Sequence, residues 1–327
     1  AAVPAVLGSI PTPKKGKRLT RLDLAKWIAS AKNPLTTRVL VNQIWHRYFG
    51  RGLVATLDDF GKRAEKPSHP ELLDWLALEV PRLKWSLKSL HRLIVTSATY
   101  RQSSHVREKI YQRDPLNVLL SRQSRIRLDA ELIRDTALAS SGLLVRTVGG
   151  PSVRPPQPKD FSKLTYANSA KWVESKGADR YRRGLYIWFQ RTSPYPMLMT
   201  FDSPDSNVCC VKRERSCTAL QALTLLNDRV FVECAQSLAR WIQDRNVSSE
   251  QKVTLAFRRC LGRKPDEKET ARLSMLYDQI LQYCQKHPQS AARLVGQKKS
   301  SEETTRLAAW TAVTRAILNL DEMITRE

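Results

Sequence analysis

No stretch of this 327-residue chain approaches the roughly eighteen consecutive apolar residues of a membrane-spanning helix, so no membrane span is expected within it. Cysteines at CxxC or CxxCH spacing are missing as well. The six cysteines, Cys209, Cys210, Cys217, Cys234, Cys260 and Cys284, all lie in the C-terminal half, and their spacing argues against a zinc ribbon, a thioredoxin-type pair or covalent haem attachment. His46, His69, His91 and His105 are scattered and match no HExxH or other ligand spacing, so a zinc enzyme has no direct support in the sequence. GxSxG, GxGxxG and P-loop motifs are absent. DDFG at Asp58 to Gly61 lacks the glycine-rich loop, strand lysine and HRD loop of a kinase; it reads as a turn with a buried Phe60 and a flexible Gly61. Acid is also short, with 31 Asp and Glu against 55 Lys and Arg.

That balance leaves a formal charge of +24, more than solubility requires. Such a surface attracts polyanions and loses the attraction in salt; nucleic acid, acidic or sulfated polysaccharide and anionic membrane surface are the candidates. The charge is spread along the chain, which equally fits a generally basic solvated surface. At 42% hydrophobic and 26% charged the composition is that of a soluble globular protein, long enough for one large domain or two ordinary ones. The opening AAVPAVLGSIPTPKKGKR places its basic residues after its apolar part, the reverse of a secretory signal.

Helix signals dominate after the first eighteen residues, which read as an extended arm or linker over 1–18. Thr20 can cap LDLAKWIASAK, and Asn33 with Pro34 opens a core helix that stops at Gly50, with Leu40, Ile44 and Tyr48 on one stripe beside Val41 and Trp45. SHPE reads as a capping box from Ser68 to Glu71, Ser86 caps the next helix, and Asp129 starts one that ends near Gly142. GGPSVRPPQPKDF breaks any element, which suggests a division into an N-terminal helical half, 19–142, and a C-terminal part, 143–327, unless 19–327 is one continuous domain. GLYIWFQR alternates like a strand and needs a partner, so a hairpin or short sheet is expected around residues 185–213; helices resume at Thr218. The fold class predicted is mainly α, a domain of about ten helices with a small β hairpin or short sheet.

Chemistry concentrates between Asp179 and Asp228. Arg180, Arg182, Arg183 and Arg191 surround Tyr181, Tyr186, Trp188 and Phe189, and Arg213 and Arg215 follow. Guanidinium forks bind carboxylate, phosphate or sulfate, and aromatic faces such as Tyr186 and Trp188 stack on bases or sugar rings, so the segment is a candidate anion site. The same arginines can instead pair internally with Asp179, Asp202, Asp205 and Glu214. Asp202 and Asp205 can supply paired carboxylates for glycan cleavage, or can simply fix a turn. His69, read as lying in the first turn of a helix, is a further candidate base or ligand. Cys234, Cys260 and Cys284 read as small buried thiols, while Cys209, Cys210 and Cys217 leave a disulfide or a metal open.

Taken in order, NPLTTRVLVNQIWHRYFGRGLV, PSHPELLDWLA, WSLKSLHRLIVTSATYRQSS, RLDAELIRD, GGPSVRPPQP, DRYRRGLYIWFQRT, FDSPD and TALQALTLLND closely resemble the planctomycete sulfatase-associated domain family, a domain of unknown function. The resemblance covers nearly all of the chain. It implies an extracytoplasmic setting at the C-terminal end of an exported protein, with a c-type cytochrome domain and another uncharacterised domain as neighbours. Haem is then expected in the separate domain and no cofactor in this chain. Where the family pattern reads like TNTPLQAL, this chain has SCTALQAL, with Cys217 in place of asparagine and Ala219 in place of proline. The family supplies no catalytic residues to carry over. The expectation is therefore an accessory or binding module that engages an anionic glycan through the arginine and aromatic segment; the alternatives are a glycan-acting enzyme using Asp202 and Asp205, and nonspecific nucleic-acid binding.

Overall fold

The computed structural model describes residues 10, 18–158, 161, 172–205 and 207–326. The chain divides into two compact units, one ending at Ile126 and the other running from Arg127 to Arg326. Fourteen α-helices and one two-stranded sheet lie among the described residues, so the mainly α expectation holds. The predicted arm falls mostly outside the described residues, as do Lys159 and Asp160 of the predicted break.

The first unit contains α1 (Arg21–Ile28), α2 (Thr36–Phe49), α3 (Pro70–Arg82), α4 (Leu87–Val95), α5 (Ala98–Arg101) and α6 (Glu108–Arg113). Thr20 starts α1 as expected: its hydroxyl accepts from the Asp23 amide, and the Asp23 carboxylate accepts in return from the Thr20 amide at 2.8 Å. At α2, Asn33 Oδ1 accepts from the amides of Leu35 and Thr36, and Gly50 ends the helix at φ 77. Val41, Trp45 and Phe49 of α2 meet Leu73, Leu76 and Val80 of α3 and Leu90 and Ile94 of α4 in one apolar cluster. Each fully buried Leu or Ile of that size contributes roughly 1.5 to 3 kcal/mol.

The loop after α2 is pinned by the buried Asn42. Its side chain accepts from the Val54 amide and donates to the Val54 carbonyl, both at 2.9 Å. Gly52 is required there because a Cβ would sit 2.4 Å from the Val54 oxygen. The SHPE capping box does not form: His69 is the residue before α3, Pro70 opens the helix, and the Ser68 hydroxyl donates instead to the Leu53 carbonyl at 3.2 Å. DDFG is an Asx turn in which Asp59 accepts from the Gly61 amide at 2.7 Å, with Phe60 packed partly into the core.

The second unit contains α7 (Ala130–Ser141), α8 (Pro196–Thr200), α9 (Ala219–Asn227), α10 (Arg229–Gln243), α11 (Ser249–Leu261), α12 (Glu267–Lys286), α13 (Pro288–Leu294) and α14 (Glu302–Leu318). The short strands β1 (Ile126–Arg127) and β2 (Thr325–Arg326) pair as a two-stranded sheet. α14 is buried almost all round, as a helix with apolar residues on every face must be. Its Thr314 hydroxyl donates to the Ala235 carbonyl on α10 at 2.9 Å, which satisfies a polar group inside the core. α10 packs against both α7 and α14, so α7, which precedes the predicted 143–160 break, belongs to the second unit.

Two local expectations change. The helix predicted from Thr218 onward is broken at Asp228, whose carboxylate accepts from the Val230 amide at 3.0 Å and starts α10. GLYIWFQR is not a strand: Gly184–Tyr186 is a 3-10 turn, and among the described residues the segment's one β-type pairing is an isolated bridge from Ile187 to Val153. The alternation misled because only Ile187 is buried, while Leu185 on the same supposed face is 70% exposed.

Candidate functional site

The arginine and aromatic segment lies flush on α7. Two short 3-10 turns, Gly177–Tyr181 and Gly184–Tyr186, carry it across the helix. Gly184 allows the approach, since a Cβ there would stand 2.8 Å from the Glu131 backbone, and its amide donates to Asp135 Oδ1 at 2.6 Å. Beneath the segment sits Arg134, 0% exposed, whose two terminal nitrogens donate to the carbonyls of Arg182 and Arg180, each at 2.6 Å. Burial lowers its pKa, while Tyr195, Asp135, Cys234 and Asp228 around it favour the charged form.

The six arginines do not converge on one pocket. Arg180 donates to Glu233 Oε1 at 2.6 Å, and Arg213 holds Glu131 with both terminal nitrogens at 2.6 and 3.1 Å. Arg215 lies 3.5 Å from Asp129, and Arg183 lies 3.4 Å from Asp135 with its side chain 43% exposed. Arg182 donates to the carbonyls of Pro151 and Gly149 and stacks on Tyr186, its guanidinium carbon 4.0 Å from the ring centre. Arg191 binds Asn207 Oδ1 at 3.2 and 3.3 Å. Internal pairing is therefore extensive, but its acids come from α7, the residue before it, and α10, whereas the sequence suggested Asp179, Asp202, Asp205 and Glu214.

Asp202 and Asp205 do different things. Asp202, held at φ 61, accepts from the Ser216 amide at 2.7 Å and from its hydroxyl at 2.8 Å, and Gln221 donates to the same hydroxyl at 3.0 Å. Asp205 is exposed and accepts from the Asn207 amide and side chain, which hold its carboxyl below the usual range. Each carboxylate fixes its own turn. His69 belongs to the first unit, where its Nδ1 lies 3.0 Å from the Ser68 hydroxyl.

Solvent reaches the segment at Trp188. The indole is 40% exposed and the Arg154 guanidinium carbon lies 4.5 Å from its ring centre. Tyr186 instead accepts from the Gly149 amide at 2.8 Å and is partly covered. Sequence reasoning missed Arg134, Arg154, Asp129, Glu131, Asp135 and Glu233. A usable signal did exist for Arg134 and Asp135, which fall on the apolar stripe of α7 beside Ile133 and Leu138.

Thiols are free at all six cysteines; Cys209, Cys210 and Cys217 are exposed, and burial pushes Cys234 and Cys260 up to about 12. Among the described residues no cluster of three or more His, Cys, Asp or Glu is arranged to hold a metal ion. No described helix is long and apolar enough to cross a membrane.

No curated protein and no solved structure matches the chain. A family match does exist: residues 20–277, well over half of the chain, match PSD1, described as a protein of unknown function (DUF1553), and the chain belongs to that family.

Proposed function

We propose that this domain is a binding module for acidic, especially sulfated, polysaccharide, acting outside the cytoplasm beside a c-type cytochrome domain of the same polypeptide. The observation that carries this reading is the Trp188 and Arg154 pair, an indole 40% exposed with a guanidinium stacked over its ring, 4.5 Å from the ring centre. An indole face stacks on the apolar face of a sugar ring, and the neighbouring cation attracts its sulfate or carboxylate. The wider charge of +24 supports it, and Glu233, Glu131 and Asp202 beside the segment are occupied by arginines and a turn amide. Asp202 and Asp205, engaged in this way, favour binding over a two-carboxylate hydrolase.

Binding of heparin across a salt series tests the reading. Affinity should fall steeply as salt rises, and the Trp188→Ala, Arg154→Ala double variant should bind roughly tenfold more weakly at the same ionic strength. No binding at low salt would reject it.

A further inference from the structure

The first unit carries a cavity of about 500 Å³ between the end of α3 and α4, to which none of the sequence-derived candidates contributes. Lys88 and Arg92 of α4 line it together with Ser86, Ser89, Leu83 and Leu93. Lys88 and Arg92 stand four residues apart, so they share one helix face, where two like charges repel. Neither forms an ion pair among the described residues. The one acid in the wall, Glu79, already accepts from Arg82 at 2.8 Å. α4 itself, LKSLHRLIV, contains no acid. An uncompensated cation pair at a cavity wall is therefore built into this helix.

The turn leading into the cavity is strained. Lys84 and Trp85 are consecutive non-glycine residues at φ 51 and 60, in the left-handed region that side chains disfavour. The Trp85 amide donates to the Val80 carbonyl and the Lys84 amide to the Pro81 carbonyl, both at 2.9 Å, so the α3 terminus holds the turn in place. Burial does not explain the strain, because Trp85 remains exposed. A lysine occupies a position where glycine would relieve the strain. Such strain is retained at ligand-binding positions.

We infer that the cavity between α3 and α4 binds one anionic sugar unit, its sulfate or carboxylate between Lys88 and Arg92. The apolar face of the sugar meets Leu83 and Leu93, and its hydroxyls meet Ser86 and Ser89. The volume lies in the ordinary range for a small-ligand site. This inference takes its ligand class from the proposed polysaccharide binding, but it uses residues of the other unit and so fails separately.

The test titrates the whole protein with a sulfated heparin disaccharide, with a neutral disaccharide of the same size, and with inorganic sulfate, by calorimetry or NMR. The sulfated disaccharide should bind saturably. Its affinity, read from the NMR signals of Ser86 and Ser89, should fall at least tenfold in the Lys88→Gln, Arg92→Gln double variant. Thermal melts of the glutamine variant should match wild type, since both positions are exposed. Equal affinity in wild type and the glutamine variant, equal binding of the neutral disaccharide, or no disaccharide binding would each overturn the inference. If full-length heparin still binds through Trp188 in that event, the proposed function stands and only the cavity site falls; loss of both sinks both.

Discussion

Arg134 donates to the carbonyl of Arg182 at 2.6 Å from a position with no solvent exposure, so a buried cation on α7 holds down the backbone of the most arginine-rich turn in the chain. The same guanidinium reaches the Arg180 carbonyl. One side chain thus fixes both ends of the Arg180 to Arg182 run. The side chains of that run are then directed to Glu233 on one side and to the Gly149 and Pro151 carbonyls on the other.

Arg134→Met should therefore destabilise the second unit by roughly 2 to 4 kcal/mol, because two buried carbonyls lose their donor even though an apolar side chain fills the space. Hydrogen exchange should rise at residues 180–187 before it rises in α14. Denaturant unfolding with site-resolved exchange measures both. An unchanged midpoint would show that the buried guanidinium does not anchor the segment.

The Arg213 and Glu131 pair is bidentate and about one quarter exposed on each side. A double-mutant cycle with Arg213→Ala and Glu131→Ala should give a coupling of roughly 0.5 to 1.5 kcal/mol, more than a fully exposed pair and less than a buried one. High salt should reduce it only partly. Zero coupling would mean that the pair is incidental.

These partners explain how far the sequence could be read. Helix starts at Thr20, Ser86 and Thr218 and ends at Gly50 and Gly142 depend on contacts within a few residues, so local pattern reveals them. The Arg213 and Glu131 contact spans 82 residues, and Arg180 reaches Glu233 over 53, so the nearby acids were plausible but wrong partners. Ser68 is not the cap because the helix starts one residue later, with His69 at the cap position and Pro70 opening the helix, while the Ser68 hydroxyl donates to a loop carbonyl fifteen residues earlier. The supposed strand at Leu185 to Gln190 lacked a ladder, since among the described residues only Val153 bridges to it. Trp188 and Tyr186 were both legible as aromatic candidates; which one stayed uncovered depended on Arg182 and Gly149 folding over Tyr186.

Asp228 gives a pH prediction. Burial raises its pKa above the ordinary 3.8, against the lowering effects of the Val230 amide and Arg134. As pH falls, the folded state takes up this proton before the unfolded state does. The Asp228 contribution is therefore least favourable near neutrality, improves as pH falls through the raised folded pKa, and levels off below the unfolded value. Asp228→Asn keeps an oxygen for the Val230 amide without the buried charge. Its stability relative to wild type should be highest near pH 7 and should decline toward pH 4, as read from urea midpoints at several pH values. A relative stability that grows on acidification would contradict the assignment.

The most direct test of the central claim is the salt dependence of heparin affinity for wild type, for Trp188→Ala with Arg154→Ala, and for Arg213→Gln with Glu131→Gln. Wild type should show a linear fall of log affinity with log salt, the first variant a loss of about tenfold with a shallower slope, and the second variant wild-type behaviour, since its residues are occupied within the fold. Affinity that ignores salt, or that depends on Arg213 and Glu131 while ignoring Trp188 and Arg154, would contradict the account.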